Sequence, residues 1–374
     1  MKILFIGGTG VLSTDIVKLA IKQKHEVFLL NRGTHVEDIP AESHLIIGNI
    51  RDTISCKKEL SNYKFDVVAD FLSYTPEQLK STIDIIQDIC TQYIFVSSAC
   101  SYRRDSTDFP IKENSVQPNT NLPYGISKYE CEKLLKSLNW KFKYTIVRPY
   151  ITYGDTRIPY GIAPAARYHG TIIARILSGK PMFYWNENGH IPVCNLTHTR
   201  DFAVAFCGLF LNPLAYDEDF NIVGDETYSW KTMVETLYEV LEMQNKNIIN
   251  IPVQEIIDVF TTERDFFKGD RNLDAVFDNT KIKNAVPEFK TTISLKEGIL
   301  MTVNHYKTHN YLSGIDYCYD ALCDRLLNKH QNGIYFKDYL HNASLIQKIR
   351  YCVHRYLSDK EKRLLSKIKK AITK

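Results

Sequence analysis

The feature that most constrains this chain is its opening. Residues 2–6 (Lys-Ile-Leu-Phe-Ile) form a short, mostly apolar run that stops at Gly7-Gly8-Thr9-Gly10. A helical pattern follows, with Val11, Leu12, Ile16, Val17, Leu19 and Ala20 on one stripe. Such a run suits a strand buried on both faces of a parallel sheet, turning sharply into a helix. Comparable runs recur at 26–30, 44–47, 66–71, 93–97 and 144–148, and helical patterns fall near 53–61, 76–89 and 124–138. Strands that alternate with helices predict an α/β chain with a doubly wound parallel sheet.

Past residue 155 the pattern changes. Helical stretches near 160–178, 199–211, 230–243, 253–262 and 294–306 dominate, with strand candidates at 182–185 and 220–223. The reading is a Rossmann-type dinucleotide-binding domain over 1–155 and a smaller substrate-binding lobe over 156–307. The two interleave, and segments near 192–223 return to the first sheet. Residues 308–374 form a basic helical extension. Of the 374 residues, 44% are hydrophobic and 24% charged, which excludes a disordered chain. No apolar run is long enough to span a bilayer, and the opening run is too short for a secretory leader. Nine scattered cysteines show neither CxxC nor zinc-ligand spacing, so reduced thiols, a cytoplasmic setting and no metal are expected. The net charge of +4 hides an asymmetry, because residues 344–374 carry ten Lys/Arg against Asp359 and Glu361. That segment is +8 and the remainder −4, which argues against a nucleic-acid surface spread over the whole protein.

Gly7-Gly8-Thr9-Gly10-Val11-Leu12-Ser13 sits where a dinucleotide fingerprint belongs, with Ser13 in place of the third glycine. Glycines allow a tight turn and close approach of backbone N–H groups to a pyrophosphate at a helix N-terminus. The end of the second strand carries Asn31-Arg32-Gly33 rather than a ribose-binding acid. Without that carboxylate a 2′-phosphate is not repelled, and Arg32 can pair with it. NADP is favoured over NAD, with Arg32 stacking on adenine as the alternative. Tyr124 and Lys128 are four apart, so they share a helix face, where an ammonium would lower the tyrosine pKa and make an acid/base. Ser98 ends the strand at 93–97, where ligands gather in open α/β sheets, able to bond a substrate oxygen.

Taken together, these motifs resemble the extended short-chain dehydrogenase/reductases of the sugar-nucleotide epimerase/dehydratase group. The glycine motif at 7–13 is joined by Gly48-Asn49-Ile50-Arg51-Asp52, Ser97-Ser98-Ala99-x-x-Tyr102, Tyr124-x-x-x-Lys128, Arg148-Pro149-x-x-x-Tyr153-Gly154 and His198-x-x-Asp201, in that family's order over residues 1–307. The resemblance implies Tyr124 as acid/base, Lys128 holding the nicotinamide ribose, and Ser98 binding the reacting oxygen. It implies cofactor contacts from Gly7, Thr9, Gly10, Val11, Leu12, Asn31, Arg32, Asn49, Ile50, Phe71 and Lys128. Substrate contacts would come from Ser98, Tyr124, Arg200, Lys268 and Arg271, with Arg175 a further diphosphate candidate. Asn49 stands where Asp is common, and Asp70-Phe71-Leu72-Ser73-Tyr74 replaces the family's usual stretch beside the cofactor. Ser98-Ala99-Cys100 replaces the Thr-Asp-Glu of 4,6-dehydratases, so dehydration is not expected.

The expected activity is nucleotide-sugar epimerisation through a keto intermediate. The alternatives are an NADPH-dependent 4-ketoreductase and a non-catalytic Rossmann-fold binding protein, a type whose RNA-binding relatives have lost the Tyr/Lys pair. His198 and Asp201 are read as fixing a helix start, and Cys100 as a small apolar filler. Leu345, Ile346, Ile349, Val353, Tyr356 and Leu357 fall at helical spacing, followed by Leu364, Leu365, Ile368 and Ile372. A basic amphipathic helix can lie on anionic lipid, dock on a partner, or pack with its lysines solvated. A homodimer is left open, and no nucleic-acid partner is expected.

Overall fold

The structure, a computed structural model, describes residues 1–34, 39–104, 109–330, 338–358, 360–362 and 364. In chain order its strands are β1 (Lys2–Ile6), β2 (Glu26–Asn31), β3 (His44–Ile47), β4 (Phe65–Asp70), β5 (Cys90–Val96), β6 (Lys143–Pro149), β7 (Ile151–Tyr153), β8 (Met182–Asn186), β9 (Val193–His198), β10 (Glu218–Ile222), β11 (Thr227–Ser229) and β12 (Ile248–Pro252). Helices α1 (Val11–Lys22), α2 (Thr53–Leu60), α3 (Pro76–Ile86) and α4 (Pro123–Ser137) fill the first crossovers. The chain divides into two compact units. The first comprises Met1–Gly154, Val193–Tyr228 and Lys268–Ser294, and the second the remaining three segments.

The first unit is built on a seven-stranded sheet of order β10-β6-β5-β4-β1-β2-β3, with parallel pairing throughout. Alternation along each strand sends Ile3, Phe5, Val27, Leu29, Val67 and Ala69 to one face. There they meet Ile16, Val17 and Ala20 of α1 and Phe202 and Phe206 of the Thr199–Cys207 helix. Leu4, Ile6, Phe28, Leu30, Val68 and Phe95 point the other way, onto Leu60 of α2, Leu79 and Ile83 of α3, and Cys131 and Leu135 of α4. Each Val, Leu, Ile or Phe among them stabilises the fold by roughly 1.5–3 kcal/mol, so covering both faces accounts for strands that read as continuous apolar runs. The strand order reverses at β1, between β2 and β4, and that switch point opens a crevice at the carboxyl ends. A buried network pins α4 to the sheet: Arg148 of β6 pairs with Glu132 of α4 (2.6 Å) and with Asp219 of β10 (2.5 Å).

In the second unit, Trp185 of β8 stacks on Trp230 and also contacts Phe267, each at 4.9 Å between ring centres. The helix expected over 160–178 is confined to Gly170–Leu177, with a short 3-10 turn before it. Pro159 and Pro164 break the preceding stretch, and Ile158, Tyr160 and Ile162 are buried as irregular chain instead. Beyond residue 308 lie the Tyr317–Leu327 and Leu345–Tyr356 helices. They pack around Ala174, Ile315, Tyr317, Ala321 and Tyr351. Among the described residues no helix is long and apolar enough to cross a membrane.

Candidate active site

The loop between β1 and α1 is shaped from within. Gly7 has φ +89°, and a Cβ there would stand 2.8 Å from Leu72 Cγ. Only glycine takes that conformation without strain. Ser13 is buried in the first turn of α1. Its Oγ accepts from the Gly10 N–H (2.9 Å) and donates to the Gly7 carbonyl (2.9 Å), so the serine replacing the third glycine ties the loop to the helix.

Against this loop lies a cavity of about 470 Å³. Gly7, Thr9, Gly10, Asn31, Arg32, Asn49 and Ile50 line it, all named from the sequence. Val11, Leu12, Phe71 and Lys128 are not among its lining residues. Leu12 packs on the core, and Phe71 turns to it as well, stacking on Phe5 at 6.4 Å. Its neighbours Leu72 and Tyr74 take the cavity wall instead. The Asn31 side-chain nitrogen is buried and has no hydrogen-bond partner among the described residues. Arg32 is exposed on the cavity. Arg51, which sequence reading left unassigned, also lines it and donates to the Leu72 carbonyl and to Gln78 Oε1 (2.9 Å).

Ser98 lies just past β5 and Tyr124 in the first turn of α4, and their side chains hydrogen-bond. Ser98 Oγ also accepts from the Cys100 N–H (3.2 Å), fixing the turn. The approach depends on Gly125, where a Cβ would stand 2.3 Å from the Cys100 carbonyl oxygen. One turn along α4, Lys128 is buried and donates to the carbonyls of Ser73 (2.7 Å) and Val96 (2.9 Å). Burial pushes its ammonium down to about 8, opposed by Asp70. Asp70 is itself buried and accepts from the N–H groups of Leu72 and Ser73, the Ser73 hydroxyl and the Tyr93 hydroxyl, so it shapes the segment that receives Lys128. The 70–74 stretch stands out in the sequence as a departure, and in the fold it seats Lys128 through the Ser73 carbonyl.

The expected lowering of the Tyr124 pKa is not met. Burial raises the phenol well above its usual value and Cys100 adds to the rise, while the Ser98 hydrogen bond and Arg271 pull it down. Burial dominates because α4 presses Tyr124 against the turn after β5, while Lys128 turns its nitrogen to two carbonyls. Cys100, also buried, is pushed up to about 11, which suits a filler rather than a nucleophile.

Arg271 thus lies close enough to Tyr124 to act on it electrically. Its guanidinium pairs with Asp270, which is fully buried and also takes Arg104 (3.0 Å) and the Tyr150 hydroxyl (3.1 Å). Lys268 and Arg200 are exposed, Arg200 on the first turn of the Thr199–Cys207 helix. Arg175 is no diphosphate contact: it is buried in the second unit against Asp320 (2.5 Å) and Asp324 (2.7 Å). His198 Nδ1 caps the Arg200 N–H (3.2 Å), and Asp201 accepts from Thr292 and from the Ile293 N–H, so this pair secures a helix start.

The family model described as the NAD dependent epimerase/dehydratase family matches residues 3–222, well over half the chain. The chain belongs to that family. It is 30% identical over 241 residues to the chloroplast stem-loop binding protein of 41 kDa b of Arabidopsis thaliana, spanning 60% of this chain and 59% of that protein. It is 26% identical over 206 residues to the UDP-glucose 4-epimerase of Lactobacillus helveticus, spanning 49% and 62%. The match therefore spans about three-fifths of these curated relatives. Among solved structures, UDP-glucose 4-epimerase of Thermotoga maritima with UDP-glucose superposes with a TM-score of 0.67 at 20% identity, covering 83% of this chain and 99% of that one. The UDP-glucuronic acid 4-epimerase of Bacillus cereus with NAD gives 0.63 at 17% identity, covering 83% and 99%. At such identities the likeness shows the shared fold.

Proposed function

We propose that this protein is a nucleotide-sugar epimerase that works through a keto intermediate. The observation that carries the reading is the hydrogen-bonded Ser98–Tyr124 pair, with Lys128 one helical turn on, at the carboxyl edge of a sheet whose switch point holds the glycine-loop cavity. The cavity fits a dinucleotide. Its loop offers helix-terminal N–H groups for a pyrophosphate, and Asn31 has a buried amide nitrogen without a partner among the described residues, where a ribose or its phosphate would lie. A bound nicotinamide supplies a hydride acceptor that can hand the hydride back.

The protein's own task is to move one proton and hold one oxygen. Tyr124 takes the proton of the sugar hydroxyl and returns it to the opposite stereoisomer. Ser98 donates to the same oxygen, helping it pass from alcohol to carbonyl. Because burial raises the Tyr124 pKa, positive charge is required nearby; Arg271 acts in that direction, and Lys128 is the second cation on hand. Incubation with UDP-glucose or UDP-glucuronic acid, followed by proton NMR, tests the reading. Interconversion at C4 with no net change in reduced nicotinamide is expected. Unchanged substrates with either dinucleotide would overturn it for these sugars.

Two other readings each rest on one observation. Asn31-Arg32 at the cavity favours NADP, which suits a 4-ketoreductase, and consumption of NADPH by a 4-keto sugar would select it. The 30% identity to a stem-loop binding protein supports a binding role, and a gel shift with stem-loop RNA that survives Tyr124→Phe would select that.

A further inference from the structure

The Leu345–Tyr356 helix packs the wrong way round for an amphipathic helix. Its Ser344 cap and reciprocal Gln347 bond define a regular start. The side turned inward is its polar one: the Tyr351 hydroxyl donates to Asp324 (2.5 Å), and Arg355 pairs with the same carboxylate (3.0 Å). The stripe turned outward is apolar. Leu345 is 74% exposed, Ile346 66%, Ile349 54% and Tyr356 56%. Positions 345, 349 and 356 lie one above another at 3.6 residues per turn, and Lys348 and Arg350, both exposed, project on either side of that stripe.

We propose that this outward face is a docking surface for an anionic lipid bilayer. An apolar stripe flanked by cations is the pattern of a helix lying in the membrane interface, with its apolar residues at the acyl boundary and its basic side chains reaching up to headgroup phosphates. Charge selects the occupant. Residues 344–358 contain no Asp or Glu, and residues 344–374 are +8 on a remainder of −4. Each basic residue close to an anionic surface adds to the attraction, which fades within a Debye length and so weakens as salt is added. A second copy is disfavoured, because a two-fold contact would lay this face on its own copy, cation against cation, with no Asp or Glu in residues 344–358 to pair them. The fastening through Asp324 holds the stripe outward without any membrane present. Leu364 is exposed as well, whereas Leu365, Ile368 and Ile372 lie outside the described residues.

The test uses the full chain and vesicles of phosphatidylcholine with about 30% phosphatidylglycerol at low salt. The protein should sediment with these and stay in solution with pure phosphatidylcholine. Ile346→Glu with Ile349→Glu should cut the bound fraction at least about tenfold, since it places charge where acyl chains would lie. Cys352, the exposed cysteine of the nine, sits on the same stripe. An environment-sensitive fluorophore there should brighten with the anionic vesicles, a readout that leaves Leu345, Ile346, Ile349 and Tyr356 unaltered. The proposal is overturned if the native protein ignores anionic vesicles, if the double variant binds as well as the native chain, or if the probe does not respond. It also falls if the double variant instead breaks a dimer in light scattering while vesicle binding persists, which would make a second copy the occupant.

Discussion

Gly125 lies so close to Cys100 that a single added methyl would stand 2.3 Å from the Cys100 carbonyl oxygen. That approach puts Tyr124, the preceding residue, against Ser98 at the carboxyl end of β5. The reacting pair therefore depends on a glycine that touches neither hydroxyl. Gly125→Ala should fold, because α4 keeps its Arg148–Glu132 anchor, yet α4 must move away from the turn. Turnover should fall by roughly 10²-fold, the usual cost of about 1 Å of misplacement. Unchanged turnover would show that the turn, rather than the helix, gives way.

Tyr124→Phe keeps the ring and removes the oxygen. Turnover should fall by roughly 10²–10⁴-fold, with dinucleotide affinity and melting temperature near native values. Steady-state kinetics with a calorimetric binding control would check this, and an active phenylalanine variant would remove Tyr124 from the chemistry.

Arg32→Ala tests cofactor choice. If the guanidinium meets a 2′-phosphate, NADP binding should weaken by roughly 1.5–3 kcal/mol and NAD binding should hold. Equal losses in paired titrations would instead assign Arg32 to adenine.

Lys128 gives a pH signature. Burial holds its folded value near 8, below the ordinary value of about 10.4 expected of the unfolded chain. Between those values the unfolded chain binds a proton that the folded chain does not, so stability rises with pH there. Relative to Lys128→Met, the native protein should gain up to about 1.4 kcal/mol per pH unit in that window, and nothing below it. Urea titrations at pH 7, 8, 9 and 10 would show it, and parallel curves would mean that the ammonium titrates normally in the fold.

In the second unit, Arg175 and Lys180 share Asp320 and Asp324, all buried. Asp320→Ala leaves two buried cations on the single carboxylate of Asp324 and should cost about 3–5 kcal/mol, read from chemical denaturation. A loss under about 1 kcal/mol would mean that Asp324 alone compensates both.

The sheet was readable because each strand is buried on both faces and each βα step repeats the same two periods. The candidate trio was readable for a related reason: Ser98 and Tyr124 stand at the ends of those elements, and Lys128 follows one helical turn on. Arg175 was not, because its partner Asp320 lies 145 residues away in sequence and nothing local marks the pair. The direction of the Tyr124 shift was missed since sequence spacing shows a neighbouring cation but not the burial that outweighs it. Strands β7 and β11 span three residues each, too few to set a period.

Asp324 answers to four groups at once: Arg175 and Lys180 from the interior, Tyr351 and Arg355 from the Leu345–Tyr356 helix. What fastens the tail also neutralises the core. Cutting the chain before residue 344 would thus shift the charge balance inside the second unit, and its heat resistance should drop although no side chain of that interior had been altered. Conversely, anything that grips the seated helix and not the released one acts as a ligand of the folded unit, and its binding would register as a higher melting temperature far from the glycine loop.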